Sequence, residues 1–204
     1  MKTLPALGAA LLLGGCAAFA PATRDTGNSA QAERLWAVHQ DQLQTVEQFT
    51  LSGRIANRGV LALKGDLLWR QFAGERFDIR LSGPFGAGAV RLSGDLQQVR
   101  VSSRDGEWIS TDPETDLEQI YGWRLPLAAL RYWALGLPAP GSRARVLLDE
   151  QGRALRLEQD GWTVDLTEYH AGRPALPRRL QAVNGETAVI LLADRWEQLE
   201  PRSP

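Results

Sequence analysis

The sequence predicts a mainly β fold in which about eleven antiparallel strands form a half-barrel, covered by a lid of three helices around a hydrophobic cavity. Three observations carry that expectation. From Phe49 onward, apolar residues recur at every second position in short runs. Gly, Asn and Asp separate those runs at hairpin-like spacing. Helical periodicity breaks the pattern in only two places, before Phe49 and between Asp112 and Gly136.

The chain begins with a segment that is not part of this fold. Met1-Lys2 is a short positive start, followed by the apolar stretch Leu4 to Leu13. That stretch is too short for a bilayer span, which needs about 20 residues, and it reads as a secretion signal over residues 1–15. It ends Leu13-Gly14-Gly15-Cys16, which resembles a lipobox, with Gly14 where Ala or Ser is more usual. Cys16 is the one cysteine in the chain, so it has no disulfide partner, and a thioether-linked lipid would remove a thiol exposed to an oxidising compartment. Residues 16–31 are small, polar and Pro/Gly-bearing, as suits a lipidated tether, and leave residues 32–204 for a single domain. Ala17 rather than Asp follows the cysteine, which by resemblance to bacterial sorting rules directs the protein to the outer membrane.

The first structural element is a helix from Ala30 to about Glu47, with Leu35, Trp36, Leu43 and Val46 on its apolar stripe. Phe49, Leu51, Gly53 and Ile55 then alternate with polar neighbours up to a turn at Asn57-Arg58-Gly59. Leu61, Leu63, Gly65, Leu67 and Trp69 share one face of a second strand, and Phe77, Ile79 and Leu81 one face of a third. Val90 with Leu92, Val99 with Val101, and Trp108 with Ser110 extend the meander to six strands. Asp112-Pro113 opens a helix with Leu117, Ile120, Tyr121 and Arg124 on one face. Pro126 starts a second, with Leu127, Leu130, Trp133 and Ala134 as its stripe and Gly136 as its stop. Strands resume at Val146 and Leu148, then at Leu155, Leu157 and Gln159. A hairpin turns at Asp160-Gly161 into Trp162, Val164 and Leu166, and a last one turns at Asn184-Gly185.

A twisted sheet of this size curls, and its concave face must be covered. The helix stripes containing Trp36, Ile120, Leu130 and Trp133 are the covers at hand, and partial packing would leave an apolar cavity. Trp36, Trp69, Phe77, Ile79, Leu81, Leu130, Trp133 and Trp162 are the candidate lining, with ordinary core packing as the competing reading for each.

Composition excludes several classes. Lys+Arg 23 against Asp+Glu 24 leaves no basic excess for nucleic acid. His39 and His170 lie in a polar helix and a loop without metal-ligand spacing or a nucleophile signature, so neither a metal site nor an enzyme is expected.

Several segments in order resemble the LolB family of outer-membrane lipoprotein receptors. They are Leu35-Trp36, Leu68-Trp69-Arg70-Gln71, Leu81-Ser82-Gly83-Pro84-Phe85-Gly86, Leu125-Pro126-Leu127, Trp133-Ala134-Leu135-Gly136-Leu137-Pro138, Gln159-Asp160-Gly161-Trp162 and Leu176-Pro177, with the likeness running on to Trp196. The resemblance implies a LolA/LolB-like half-barrel with a lidded cavity. The function it implies is to accept triacylated lipoproteins from the periplasmic carrier LolA and insert them into the outer membrane. It also implies no covalent chemistry and no cofactor beyond the acyl lipid on Cys16; a monomer is expected. In the family, the hairpin loop matching Gly83, Pro84, Phe85 and Gly86 carries a leucine thought to engage the membrane. Phe85 stands in its place here, where an aromatic ring suits a bilayer interface; the competing reading folds Phe85 into the core. The alternative function is a lipoprotein sensor or scaffold that uses the same half-barrel to bind an envelope protein.

Overall fold

The computed structural model describes residues 28–58, 63–83 and 88–201. The expectations for the signal, for Cys16 and for Pro84, Phe85 and Gly86 lie outside the described residues. Within them the helix α1 (Ala30–Gln44) precedes the strands β1 (Val46–Arg58), β2 (Leu63–Gln71), β3 (Phe77–Ser82), β4 (Val90–Gly94), β5 (Val99–Ser103) and β6 (Gly106–Ser110). The helices α2 (Pro113–Tyr121) and α3 (Leu127–Ala134) follow. The strands β7 (Ala144–Leu148), β8 (Ala154–Gln159), β9 (Trp162–Tyr169), β10 (Pro177–Asn184) and β11 (Thr187–Pro201) complete the order.

All eleven strands join one antiparallel open sheet in the order β6-β5-β4-β3-β2-β1-β11-β10-β9-β8-β7. This topology explains the lid. The chain leaves the sheet at one edge, β6, and re-enters at the other, β7, so the segment between them must cross a face. Helices α2 and α3 make that crossing on the face where Leu51, Trp69, Ile79, Val164 and Leu191 point inward, and Leu117, Leu130 and Trp133 join those side chains in one core. Two glycines let the sheet curl. A Cβ on Gly53 would stand 2.0 Å from the Leu192 carbonyl oxygen, and one on Gly65 2.2 Å from that of Ser82. No larger residue fits either approach.

Local signals set several boundaries as expected. Ser29 caps α1 by accepting from the Ala32 N–H at 3.1 Å. Gly136, with φ of 81°, follows α3 in the left-handed region. The two-residue loop Asp160-Gly161 has positive φ at both positions, as a type I′ hairpin requires.

Other boundaries differ, because long-range pairing overrides local periodicity. Helix α1 stops at Gln44, and Val46 opens β1 instead of ending the helix, since it pairs with Pro201 of β11. Leu35 is exposed, while Ala32 and Leu43 take the buried positions. Ile120 is 52% exposed and covers nothing; α2 ends at once in a left-handed Gly122, and Leu117 supplies its inward contact. Arg124 lies beyond that helix and pairs with Glu118 at 2.7 Å. Leu155 points outward, because a register shift between Leu147 and Leu148 gives the inward place to Ala154. The last hairpin turns at Gly185-Glu186, since Asn184 still pairs with Thr187. Asn57 is a buried member of β1 and not a turn residue.

Helix α1 lies beside the β7 edge. Asn28, just before it, donates to the Val146 carbonyl at 2.9 Å and accepts from the Leu148 N–H at 2.8 Å. These contacts occupy edge groups that would otherwise invite another strand.

Candidate functional site

Seven of the eight expected lining residues converge beneath the lid. Trp69, Phe77, Ile79, Leu81, Leu130, Trp133 and Trp162 are all buried in one apolar core. Trp36 stands apart, half-buried against the edge of that core and tilted toward His39 with ring centroids 6.3 Å apart. Inside, Trp133 meets Trp162 at 5.9 Å, and Phe49 meets Trp69 edge-on at 5.4 Å.

The interior has the expected apolar character. A gap of about 20 Å³ lined by Trp69, Phe77, Ile79 and Leu127 together with Glu75 and Arg131 has room for about one water. Phe49, Trp69, Trp133 and Trp162 pack in pairs within that interior. The space adjoining the lid is a crevice of about 270 Å³ at its border, where Leu43, Val46, Leu135 and Leu137 meet Glu75 and Arg131. That is smaller than an ordinary small-molecule pocket of about 300–1,000 Å³. A larger depression of about 700 Å³ lies on the outer face of β1, β2 and β11, flanked by Arg54, Lys64 and Asp66, away from the lid.

Three polar attachments hold the lid. Gln159 on β8 accepts from Trp133 Nε1 at 3.0 Å and from the Ala139 N–H at 2.9 Å, and donates to the Ala139 carbonyl at 2.7 Å. Glu114 of α2 accepts from the Ala128 N–H at 3.1 Å. It thereby supplies the side-chain cap that Pro126, at the N-terminus of α3, lacks. Burial pushes the Glu114 carboxyl above its usual range, against the downward pull of the Ala128 and Leu127 N–H groups.

Arg131 makes the third attachment, and a weak one. It reaches the Glu47 carbonyl at 3.4 Å and Glu75 at 3.9 Å, and its Nε is buried with no hydrogen-bond partner among the described residues. Orphaning a buried polar group costs about 1–3 kcal/mol.

Asn57 is a further buried polar residue, and neither its Oδ1 nor its Nδ2 has a partner among the described residues. Sequence reasoning gave Glu114 and Arg131 no role, placed Asn57 in a turn, and named Gln159 only as a strand residue and in a family-like segment. The available signal was a polar residue at an inward position of an alternating strand, as at Gln159 and Asn57, or inside an apolar helix, as at Arg131.

The two histidines are structural neighbours of backbone. His170 Nε2 lies 2.7 Å from the Ala193 carbonyl oxygen, and burial together with Arg153 lowers the His39 pKa. No cluster of metal-ligating side chains occurs among the described residues, and no helix among them is long and apolar enough to cross a membrane.

Comparison with known proteins agrees with this architecture. The family model described as outer membrane lipoprotein LolB matches residues 47–196. An outer-membrane lipoprotein LolB of Pseudomonas fluorescens is 39% identical over 193 residues, covering 91% of this chain and 90% of that one. The Stutzerimonas stutzeri protein of the same name is 38% identical over 204 residues, covering 97% and 96%. That of Chromohalobacter salexigens is 36% identical over 195 residues, covering 92% and 86%.

Proposed function

The chain belongs to the LolB family of outer-membrane lipoproteins, and from that premise we propose that it receives triacylated lipoproteins from a LolA-like periplasmic carrier and inserts them into the outer membrane. In this reading, residues 1–15 are removed, Cys16 carries the acyl anchor, residues 16–31 form the tether, and residues 32–204 act as a monomeric domain without cofactor or covalent chemistry. The observation that carries the reading is the lid: an apolar interior covered by helices whose Leu43, Leu117, Leu130 and Trp133 join the side chains of the sheet in one core.

Acyl chains need such an interior. Each buried methylene is worth about 0.8 kcal/mol, so three long chains cannot pass through water bare. The gap lined by Trp69, Phe77 and Leu127 is far too small for them. Loading therefore requires α3 to move, and the acyl chains then replace contacts that Trp69, Phe77 and Leu130 make with one another. That exchange moderates the affinity, because the empty site is already satisfied. Release follows when the bilayer binds the chains better than the site does, since only differential affinity shifts such an equilibrium.

Gly83, Pro84, Phe85 and Gly86 form the element that meets the bilayer, with Phe85 entering it. Gly83 leaves β3 at the end of the sheet shared by the end of β1 and the turn Gly185-Glu186. The crevice at Glu75 and Arg131 lies at the opposite end.

A transfer assay tests the proposal. Wild-type protein is expected to take a triacylated lipoprotein from its carrier and deliver it to liposomes, and cargo that stays on the carrier would refute the function. Phe85→Glu is expected to accept cargo as wild type does but to lower delivery by about tenfold or more, the penalty of forcing a charge into an apolar phase. Undiminished delivery would remove the loop from the mechanism and leave the lidded site standing.

A further inference from the structure

Asn57 breaks the chemistry of the face on which it sits. It pairs across the sheet with Val189, and Ile55 in the same strand pairs with Leu191; all four are buried on the concave side. Asn57 is 4% exposed, and its carbonyl oxygen and its amide nitrogen both lack a hydrogen-bond partner among the described residues. The other buried amide side chains do not share this condition. Gln71 accepts from Trp69 Nε1 and donates to the Arg76 carbonyl, and Gln159 is bonded at both ends. A buried amide with acceptor and donor both free is complementary to another amide.

Resting on the lipoprotein-receptor reading above, we propose that Asn57 recognises the secondary amide that joins the third acyl chain to the cargo's N-terminal cysteine. Three linkages compete for this position on such a cargo. An ester offers acceptors only and leaves the Asn57 Oδ1 unmet. A free α-ammonium, as on a diacylated cargo, offers donors only and brings a charge into an apolar interior. A secondary amide supplies one N–H and one carbonyl and satisfies both atoms at once. Position agrees with chemistry. Asn57 stands one residue from the end of β1, at the end of the sheet from which Gly83 leads into the proposed membrane loop. The polar junction of the cargo would lie there, with its chains running inward toward Trp69 and Leu130. Asn57 thus makes the site selective for triacylated over diacylated lipoproteins.

The test uses the full lipidated chain in nanodiscs and two synthetic triacyl-cysteinyl peptides with brominated ester chains, which quench the buried tryptophans on entering the site. One peptide carries the natural secondary amide, and the other is N-methylated there and has no donor. Wild type is expected to bind the secondary amide about tenfold more tightly, a difference of about 1.4 kcal/mol. In Asn57→Leu the preference falls below about twofold, while affinity for the N-methyl peptide is kept. Equal binding of both peptides by wild type, as expected if Asn57 meets only water, overturns the proposal; so does a preference that survives in Asn57→Leu. If neither peptide quenches wild type, the acyl-binding site itself is refuted, and this proposal with it. The thermal midpoint of Asn57→Leu is expected to match or exceed that of wild type, since the change strands no partner. A fall of more than about 5 °C would show that Asn57 has bonds within the fold and would also overturn the assignment.

Discussion

The two flanks of α3 are held by opposite kinds of chemistry. Toward β8 and β9, Trp133 is wholly buried, packs on Trp162 and donates to a Gln159 that is bonded at both ends of its amide. Toward β1 and the β2–β3 turn, Arg131 holds by two long contacts, has an Nε without a partner among the described residues and borders the crevice. Buried polar networks hold firmly when every member is satisfied and are points of weakness when some are not. If the lid moves to admit cargo, as proposed above, the Trp133 flank is the expected pivot and the Arg131 flank the expected opening. Placing the crevice at the weak flank fits that assignment.

The largest expected effect breaks the pivot. Gln159→Leu strands Trp133 Nε1 in the interior and removes both bonds to the half-buried backbone of Ala139. It is expected to cost about 3 kcal/mol, read as a fall of about 6–12 °C in Tm for a domain of this size. A loss under about 1 kcal/mol would mean the pivot is not where the bonding places it.

Arg131→Met is expected to change stability by less than about 1 kcal/mol in either direction, because it removes weak contacts together with an orphaned donor. The same variant should load cargo faster, and acrylamide quenching should reach Trp69 more readily while Trp133 stays protected. A destabilisation equal to that of Gln159→Leu would erase the distinction between the flanks.

This asymmetry was not readable from the sequence, although most of the architecture was. Period-two alternation marks β3, β5 and β9 because each shows one face to the core and the other to water. The lid was also legible, since a helical interruption in a meander has to cross the sheet somewhere. The misreadings have a common cause. Val46, Leu155 and Asn57 are placed by partners far along the chain or by a bulge, and local pattern has no access to either. Alternation also treats Gln159 and Asn57 as interruptions, although one fastens the lid and the other is buried with no partner among the described residues. Whether four aromatic rings fill a hollow or line it depends on rotamers, which residue spacing does not encode.

The smallest effect concerns the joint between the two lid helices. Glu114 enters α3 from outside, accepting from the Ala128 N–H where Pro126 offers no side-chain cap. Burial raises its pKa in the folded chain, so the folded state binds this proton more tightly than the unfolded state does. Stability contributed by the group therefore falls as pH rises through its two pKa values, and at neutral pH the ionised carboxylate is a net cost. Glu114→Gln keeps a carbonyl acceptor for Ala128 without the charge. Its Tm is expected to lie above that of wild type at neutral pH, with the gap closing as the pH drops below the ordinary carboxylate range, where wild-type Glu114 is also neutral. An unchanged gap at low pH, or a variant less stable than wild type at neutral pH, would mean that the charge at this joint strengthens the cap more than burial penalises it. The α2–α3 joint would then belong with the firm Trp133 flank rather than with the yielding one.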